Sequence, residues 1–204
     1  EGDAVWFHEH TDTTGNFKFD PTSGYRISGV PATFGCYVKN GRLQSYGVLR
    51  GNNLGFPSKH DFYKHKGNKK RVIVFGDSYT ASQFTAYSWV DLVEDYMNAN
   101  ATPGDSVEFW NMSVDGAGLA NWWSVIHNVL NKEGFDADAM IFAVLNTDLD
   151  RSFHVRKDTV INNEWQHALY YSSSWNPRYF PKRADRIDYF YTDDWKILDS
   201  KTVK

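Results

Sequence analysis

The sequence predicts an α/β fold in which a parallel sheet lies between layers of helices, and three observations support it. Three short apolar segments, at residues 72–75, 107–112 and 139–145, have the length and composition of buried strands. Two stretches between them, at 84–98 and 119–131, repeat apolar residues at helical spacing. Because strand and helix alternate along the chain, right-handed crossovers and a three-layer αβα sandwich are expected.

Residues 1–68 precede this pattern and lack helical periodicity. We therefore predict a β-rich, irregular N-terminal extension packed on an α/β domain at 69–204. Asn40 and Gly41 separate two strand-like segments, and both suit the positive φ angles of a two-residue hairpin turn. Cys36 lies in the first of these segments. As the single cysteine of the chain it cannot form an intramolecular disulfide, and we expect a buried structural thiol.

The length and the charge balance of the chain limit the classes of function that the protein can have. The chain has 204 residues, enough for one domain with a full core, and a net charge of -3. Such a charge gives no reason to expect nucleic acid or an anionic membrane as a partner. No apolar stretch is long enough to span a bilayer, and the basic run at 64–71 is predicted to be a solvated loop. The sequence leaves the compartment open and slightly favours a periplasmic or secreted location.

The first predicted strand, at 72–75, ends abruptly at Gly76, Asp77 and Ser78, and a helical segment follows. A serine at the carboxyl edge of a central parallel strand is where an α/β protein exposes a nucleophile. Asp77 is interpreted as a structural acceptor that ties this loop together. Ser78 is therefore the residue around which the functional prediction is built.

The two predicted helices are expected to cover the sheet. The first has an apolar face made of Trp89, Val90, Val93, Tyr96 and Met97, which should pack on the strands. The third strand is wholly apolar, as is typical of a central parallel strand.

Beyond residue 145 the pattern weakens. A short helix is predicted at 164–171 and a last extended segment at 188–192, with loops between them. Three strong strands are fewer than a doubly wound sheet usually has, so the domain is expected to stop early. The aromatic stretch at 165–195 is interpreted as the apolar underside of a region whose partner strands are absent. A substrate lid or a carbohydrate platform are the alternatives.

Three loops follow the three strands and are expected to meet at the carboxyl edge of the sheet. The first carries Ser78, the second Gly116 and the third Asn146. A serine that attacks an ester needs a base to take its proton and donors directed at the developing oxyanion. The backbone N–H groups of Ser78 and Gly116 and the side-chain amide of Asn146 are the candidate donors.

These loops resemble the sequence blocks of the SGNH (GDSL-type) hydrolases. The sequence GDSYT at 76–80 is similar to the first block, with Ser78 as nucleophile, and NMSVDG at 111–116 looks like the second, whose glycine is an oxyanion donor. LNTD at 145–148 is similar to the third block, in which Asn146 completes the oxyanion hole, although the family more often has Gly-x-Asn-Asp. The resemblance implies a flavodoxin-like fold and a serine esterase that acts through acyl-Ser78. It implies O-acyl substrates, often acetyl groups of carbohydrates, and neither a metal nor an organic cofactor.

The fourth block of the family, Asp-x-x-His near the C-terminus, supplies the base and has no counterpart in the sequence. His167 is the one histidine with a carboxylate three residues before it, Glu164, so this pair is the candidate base and its orienting acid. The alternative is a surface or partly packed histidine on a short helix. His154 and His127 are weaker candidates, and His127 is expected to pack among apolar neighbours.

The favoured explanation of the missing base is that the chain is the N-terminal part of a longer protein. The missing strands and the base would then lie beyond Lys204 or on a second chain. The alternative from another class is a non-catalytic binding domain that keeps the pocket and has lost the base. An O-acyltransferase differs from the esterase only in whether water or a sugar hydroxyl accepts the acyl group. The expected substrate is a small-molecule or carbohydrate ester.

Overall fold

The structure of the protein is a computed structural model, which describes most of residues 43–149 and shorter segments on either side. The described residues are 4–10, 17–20, 23–29, 31–38, 43–82, 85–102, 104–149, 151, 153–161, 164–172, 189–192 and 197–198.

Five strands occupy the N-terminal part of the chain: β1 (Ala4–His10), β2 (Phe17–Asp20), β3 (Gly24–Ile27), β4 (Ala32–Val38) and β5 (Leu43–Leu49). β1, β4 and β5 form an antiparallel sheet in that order, and β2 pairs with β3. The hairpin predicted around Asn40 and Gly41 is confirmed, because β4 pairs antiparallel with β5. The two turn residues lie outside the described part of the chain, as does the side chain of Cys36.

Three parallel strands form the central sheet: β6 (Lys70–Phe75), β7 (Val107–Asn111) and β8 (Ala139–Phe142). β6 lies between the other two, so the order is β7-β6-β8. The predicted α/β class with a parallel sheet is thereby confirmed.

The helices follow the first two of these strands: α1 (Ser78–Ala81), α2 (Trp89–Ala99) and α3 (Leu119–Val125), which continues as a π-helical segment (Ile126–Asn131). Val74 of β6 packs with Val90 of α2 in one apolar cluster, whereas Ile73 and Phe75 pack with Trp122 of α3 in another. Since alternate residues of a strand point to opposite faces, α2 and α3 cover β6 from opposite sides. None of the described helices is both long and apolar enough to cross a membrane.

The N-terminal strands share the larger of these two clusters. Phe17, Tyr25 and Leu49 belong to it, together with residues of the parallel sheet. Phe62 stacks on Trp110 of β7 with ring centroids 4.2 Å apart. A buried aromatic side chain removes about 150–250 Å² from water, so these contacts hold β2, β3, β5 and the segment that contains Phe62 against the sheet.

The buried face of α2 differs from the predicted one. Val90 and Glu94 are the buried residues of the helix, whereas Trp89, Tyr96 and Met97 are 36%, 73% and 42% exposed. Glu94 faces the sheet because its carboxylate accepts a hydrogen bond from a backbone N–H of β7 and pairs with two basic side chains. The helix therefore turns the carboxylate of Glu94 toward the sheet, whereas the apolar spacing predicted that aromatic residues would lie there.

α2 also begins later than predicted, at Trp89 instead of residue 84. The hydroxyl of Ser88 accepts a hydrogen bond of 3.0 Å from the N–H of Asp91 and so caps the helix. The N-cap, and not the apolar spacing, therefore sets the start of the helix.

Among the described strands, β8 lies at the edge of the parallel sheet and not at its centre as predicted. In the described part of the chain it pairs with β6 alone. Met140, Ile141 and Phe142 are 40%, 40% and 43% exposed, although Phe142 stacks on Phe75 at 5.3 Å between centroids. Parallel strands are normally covered on both faces, and the described residues leave this one partly uncovered.

The C-terminal part forms an antiparallel sheet: β9 (Phe153–Ile161), β10 (Glu164–Ser172), β11 (Tyr189–Thr192) and β12 (Ile197–Leu198). The helix predicted at 164–171 is wrong, because this segment pairs residue by residue with β9 and is rich in strand-favouring aromatic residues. The extended segment predicted at 188–192 is confirmed as β11. β9 lies against β2, β3 and α3. The side chains of the aromatic stretch at 165–195 lie outside the described part of the chain.

Arg71 is buried and does not belong to a solvated loop as predicted. Its side chain is 1% exposed, and its Nε lies 2.5 Å from a carboxylate oxygen of Glu108. The guanidinium lies 3.8 Å from the centroid of the Trp110 ring and donates to the backbone carbonyls of Tyr63 and Asp136. These partners satisfy a buried charge that composition alone would place in water.

Candidate active site at the carboxyl edge of the parallel sheet

The three parallel strands end level with one another. Asn111, the last residue of β7, pairs with Val74, and Phe142, the last residue of β8, pairs with Phe75. Just beyond this line, the N–H of Met112 donates to the carbonyl of Val74 at 2.8 Å. The three loops therefore leave the sheet at one edge, with the loop after β6 between the other two.

The loop after β6 carries Ser78, which is half-buried and begins α1. Asp77 caps this helix, because its Oδ1 accepts a hydrogen bond of 3.0 Å from the N–H of Tyr79. Gly76 has no room for a side chain, since a Cβ there would lie 2.4 Å from Oγ1 of Thr80. The predicted role of Asp77 as a structural acceptor is confirmed, and the tight turn fixes the position of Ser78.

The loop after β7 carries Gly116, which is half-buried and has a φ angle of 76°. Glycine adopts this left-handed conformation without the cost that a side chain adds. Nδ2 of Asn111 donates to the carbonyl of Thr80 at 2.9 Å. The N–H of Val114 donates to the carbonyl of Gly76 at 3.3 Å. These two bonds join the second loop to the first.

The loop after β8 carries Asn146, which is exposed and opens a 3-10 turn (Asn146–Leu149). Asp148 in this turn is fully buried, and its Oδ2 accepts a hydrogen bond of 2.9 Å from the N–H of Leu145. The carboxylate thus fastens the turn to the residue that precedes Asn146.

Sequence reasoning did not identify Arg151, which contacts all three loops. Its Nη1 lies 2.9 Å from the carbonyl oxygen of Ala117 and 2.8 Å from Oδ1 of Asp148. The same nitrogen lies 3.5 Å from Oδ2 of Asp77. Asp77 and Asp148 are the sequence signal that could have identified Arg151, because a buried carboxylate requires a cation or several hydrogen-bond donors. Arg151 is the nearest basic residue after the third loop.

The three candidate oxyanion donors have no partner among the described residues. Neither the N–H of Ser78 nor that of Gly116 donates a hydrogen bond to a described residue, and the side-chain amide of Asn146 also donates none. Hydrogen-bond donors that are held in place and form no hydrogen bond with the described residues are available to a ligand oxygen.

The candidate base and its acid lie in another sheet. Glu164 and His167 belong to β10, whose sheet contains no strand of the parallel sheet. Their side chains lie outside the described part of the chain. The pair was suggested by the three-residue spacing of the Asp-x-x-His block, and it lies on a strand and not on the predicted short helix. In the register of β10 with β9, His167 lies opposite Asp158. The side chain of His154, on β9, is likewise outside the described part.

Two of the described histidine side chains, those of His60 and His127, have other partners. Nε2 of His60 lies 2.6 Å from Oε1 of Glu94, and Oε2 of the same carboxylate accepts a hydrogen bond from the N–H of Phe109 in the middle of β7. His60 and Glu94 therefore lie beside the middle of β7 and not at the carboxyl edge of the parallel sheet. His127 is exposed and contacts Trp123 with ring centroids 4.5 Å apart, so it has one apolar neighbour but is not packed in the interior.

Two clefts border the N-terminal strands. One of about 640 Å³ is lined by residues that include Arg50 and Asp61, and one of about 200 Å³ by residues that include Arg50 and Asp91. Neither cleft is lined by Ser78 or Gly116. Within the described residues, no group of three or more potential metal-binding side chains occurs.

Comparisons of the chain with protein-family models, with curated proteins and with solved structures return no match.

Proposed function

We propose that the protein is a serine esterase of the SGNH type that removes O-acyl groups, with carbohydrate O-acetyl esters as the favoured substrates. The observation that carries the proposal is the position of Ser78 on the central loop of three, between Gly116 and Asn146. Adjacent parallel strands that end level bring their loops to one site. A nucleophile flanked by free donors on both sides is the arrangement that acyl transfer needs.

In the proposed reaction, Oγ of Ser78 attacks the ester carbonyl carbon while a base removes its proton. The tetrahedral oxyanion accepts hydrogen bonds from the N–H groups of Ser78 and Gly116 and from the amide of Asn146. Collapse breaks the bond to the alcohol, which leaves with the proton from the base, and acyl-Ser78 remains. Water then attacks by the same steps, so that the carboxylic acid and the free serine are released.

The fold we propose is the flavodoxin-like fold of these hydrolases. The strand order, with the first parallel strand between the second and the third, agrees with it, as do α2 and α3 on opposite faces of β6. In such a fold the sheet continues beyond the third strand. The exposed apolar residues of β8, which include Met140 and Ile141, support a continuation at that edge.

We propose that the base comes from a segment that covers this edge, on the same chain or on a second chain. Among the described histidine side chains none forms a hydrogen bond with Ser78, which supports a source elsewhere. His167 remains the candidate within the sequence. Replacement of His167 by alanine tests it, since unchanged turnover would exclude this histidine as the base.

A non-catalytic binding domain is the second candidate, and the same lack of a partnered histidine favours it. An O-acyltransferase would use the same serine with a sugar hydroxyl in place of water. Hydrolysis of an aryl acetate, measured for the wild type and for Ser78→Ala, separates the enzyme from the binding domain. The esterase proposal predicts wild-type turnover that Ser78→Ala loses by at least about 10³-fold. Added sugar acceptors that divert the acetyl group from water would identify the transferase.

A further inference from the structure

We infer that Arg151 is a positioning residue, whose guanidinium holds the three site loops in the relative positions that the oxyanion donors require. The inference rests on the proposed function. Arg151 lies outside the three sequence blocks on which the proposed function is based. We infer that its side chain aligns these blocks with one another.

One nitrogen of Arg151 connects the loops. Nη1 lies 2.8 Å from the carboxylate of Asp148 in the third loop and 2.9 Å from the carbonyl of Ala117 in the second. It lies 3.5 Å from the carboxylate of Asp77 in the first. The contact with Ala117 is a charge-assisted hydrogen bond, which is about twice as strong as a neutral one. The contacts with Asp148 and Asp77 are ion pairs that place one positive charge between the loops.

The two aspartates make the cation necessary. The side chains of Asp77 and Asp148 are 3% and 0% exposed, and that of Arg151 is 25% exposed. Without the guanidinium, the two buried carboxylates would lose the cation that they share. Breaking a buried pair by removing one partner leaves an uncompensated charge. The loops would then separate or admit water, so the loss of Arg151 displaces all three together.

Each contact of Arg151 is next to a candidate donor. Asp77 directly precedes Ser78, and Ala117 directly follows Gly116. Asp148 fastens the turn that begins at Asn146 through its bond to Leu145. Each candidate oxyanion donor is therefore one or two residues from a contact of the guanidinium. A displacement of the guanidinium moves all three donors. A misplacement of 1 Å in a reacting geometry is enough to lower a rate by about 10²-fold.

Gly118 provides independent support. A Cβ at this position would lie 2.7 Å from Cβ of Arg151 and 2.8 Å from the carbonyl oxygen of Asp148. The second loop thus packs directly on the third, with no space between them. Gly118→Ala should push the loops apart without removing a charge, which makes it a second route to the same displacement.

The test combines two readouts on Arg151→Ala, Arg151→Lys and Gly118→Ala. Lys66→Ala, which removes an ion pair with Asp138 away from the site, is the matched control. Hydrogen exchange measured by mass spectrometry reports on the loops whether or not the protein is an enzyme. We expect at least tenfold faster exchange in peptides covering 76–82, 112–118 and 143–149 for Arg151→Ala and Gly118→Ala, and no change there for Lys66→Ala.

The second readout is aryl acetate turnover. We expect Arg151→Ala to lower kcat by about 10–100-fold with KM changed less than threefold, and Arg151→Lys to recover part of the loss. Arg151→Lys also serves as the test variant if the alanine variant does not fold. Unchanged exchange in the three loops, or unchanged kcat in an active enzyme, would overturn the inference. A wild type without turnover overturns the proposed function instead, and loop exchange then decides whether Arg151 holds the loops.

Discussion

Nε2 of His60 lies 2.6 Å from Oε1 of Glu94, a carboxylate that α2 buries against β7. Burial alone would raise the pKa of Glu94, but hydrogen bonds from His60, the N–H of Phe109 and Lys59 outweigh it and hold the pKa below its usual value of 4.5. The folded protein thus keeps this carboxylate charged to lower pH than the unfolded chain does. Glu94 therefore contributes stability above pH 4.5 that is lost as the pH falls through its folded pKa.

Glu94→Gln should lower the free energy of unfolding near neutral pH by about 1–3 kcal/mol, because charged hydrogen bonds are replaced by neutral ones. Urea unfolding at several pH values should show this difference shrinking as the pH falls below 4.5. Asp95→Asn is the matched control, since Asp95 pairs with the same Lys59 but is 70% exposed. Its effect should stay below about 0.5 kcal/mol. A deficit in Glu94→Gln that is independent of pH would exclude the linkage.

Arg71→Met should lower the free energy of unfolding by about 3–5 kcal/mol, because it leaves Glu108 without its cation and three backbone carbonyls without this donor. Lys64→Met removes an ion pair between side chains that are 61% and 53% exposed and should cost less than about 0.5 kcal/mol. Chemical unfolding of both variants gives the comparison. Equal losses of stability in the two variants would mean that the buried ion pair of Arg71 contributes no more than the exposed ion pair of Lys64.

Gly116→Ala should lower esterase turnover at least tenfold, because a side chain is strained at a φ of 76° and relief of that strain moves the N–H that we propose as an oxyanion donor. Gly67→Ala is the control, since Gly67 has a φ of 62° and open space around an added Cβ. Both variants should lose about 1–2 kcal/mol of stability, and only Gly116→Ala should lose activity. If the two variants retain equal turnover, the N–H of Gly116 has no role in the reaction.

If the covering segment that we propose belongs to a second chain, the edge of the parallel sheet should bind apolar dyes in the isolated chain. Ile141 is 40% exposed in the middle of an apolar strand whose outer edge has no described partner. Ile141→Lys should therefore reduce the fluorescence of a bound naphthalene sulfonate dye and lower any self-association seen by light scattering. Val48→Lys, at a site that is 50% exposed on β5, should change neither. Equal dye binding by the wild type and Ile141→Lys would show that this edge is covered.

Local signals predicted the framework of the fold, and contacts between distant residues account for the differences. The apolar runs of β6, β7 and β8 and the turn residues Asn40 and Gly41 are short-range signals, and they located the parallel strands and the hairpin correctly. The buried face of α2 depends on Glu94 and its partner His60, which is 34 residues away. Spacing within the helix contains no trace of that contact.

The candidate site divides in the same way. Ser78, Gly116 and Asn146 each lie within a short block next to a strand end, so the sequence alone could select them. Arg151 acts only through three loops that meet in space, and Gly118 matters because Arg151 packs on it. The segment at 164–171 has both helical spacing and strand-forming residues, and pairing with β9 decides between them.

Labelling with a fluorophosphonate tests the central claim most directly. Oγ of an activated serine attacks the phosphorus, fluoride leaves, and a stable phosphonyl ester adds a known mass to one peptide. The account predicts a single adduct on Ser78, lost in Ser78→Ala and slowed in Gly116→Ala. An unlabelled Ser78 under conditions that label a control serine hydrolase, or an adduct that persists in Ser78→Ala, would contradict it.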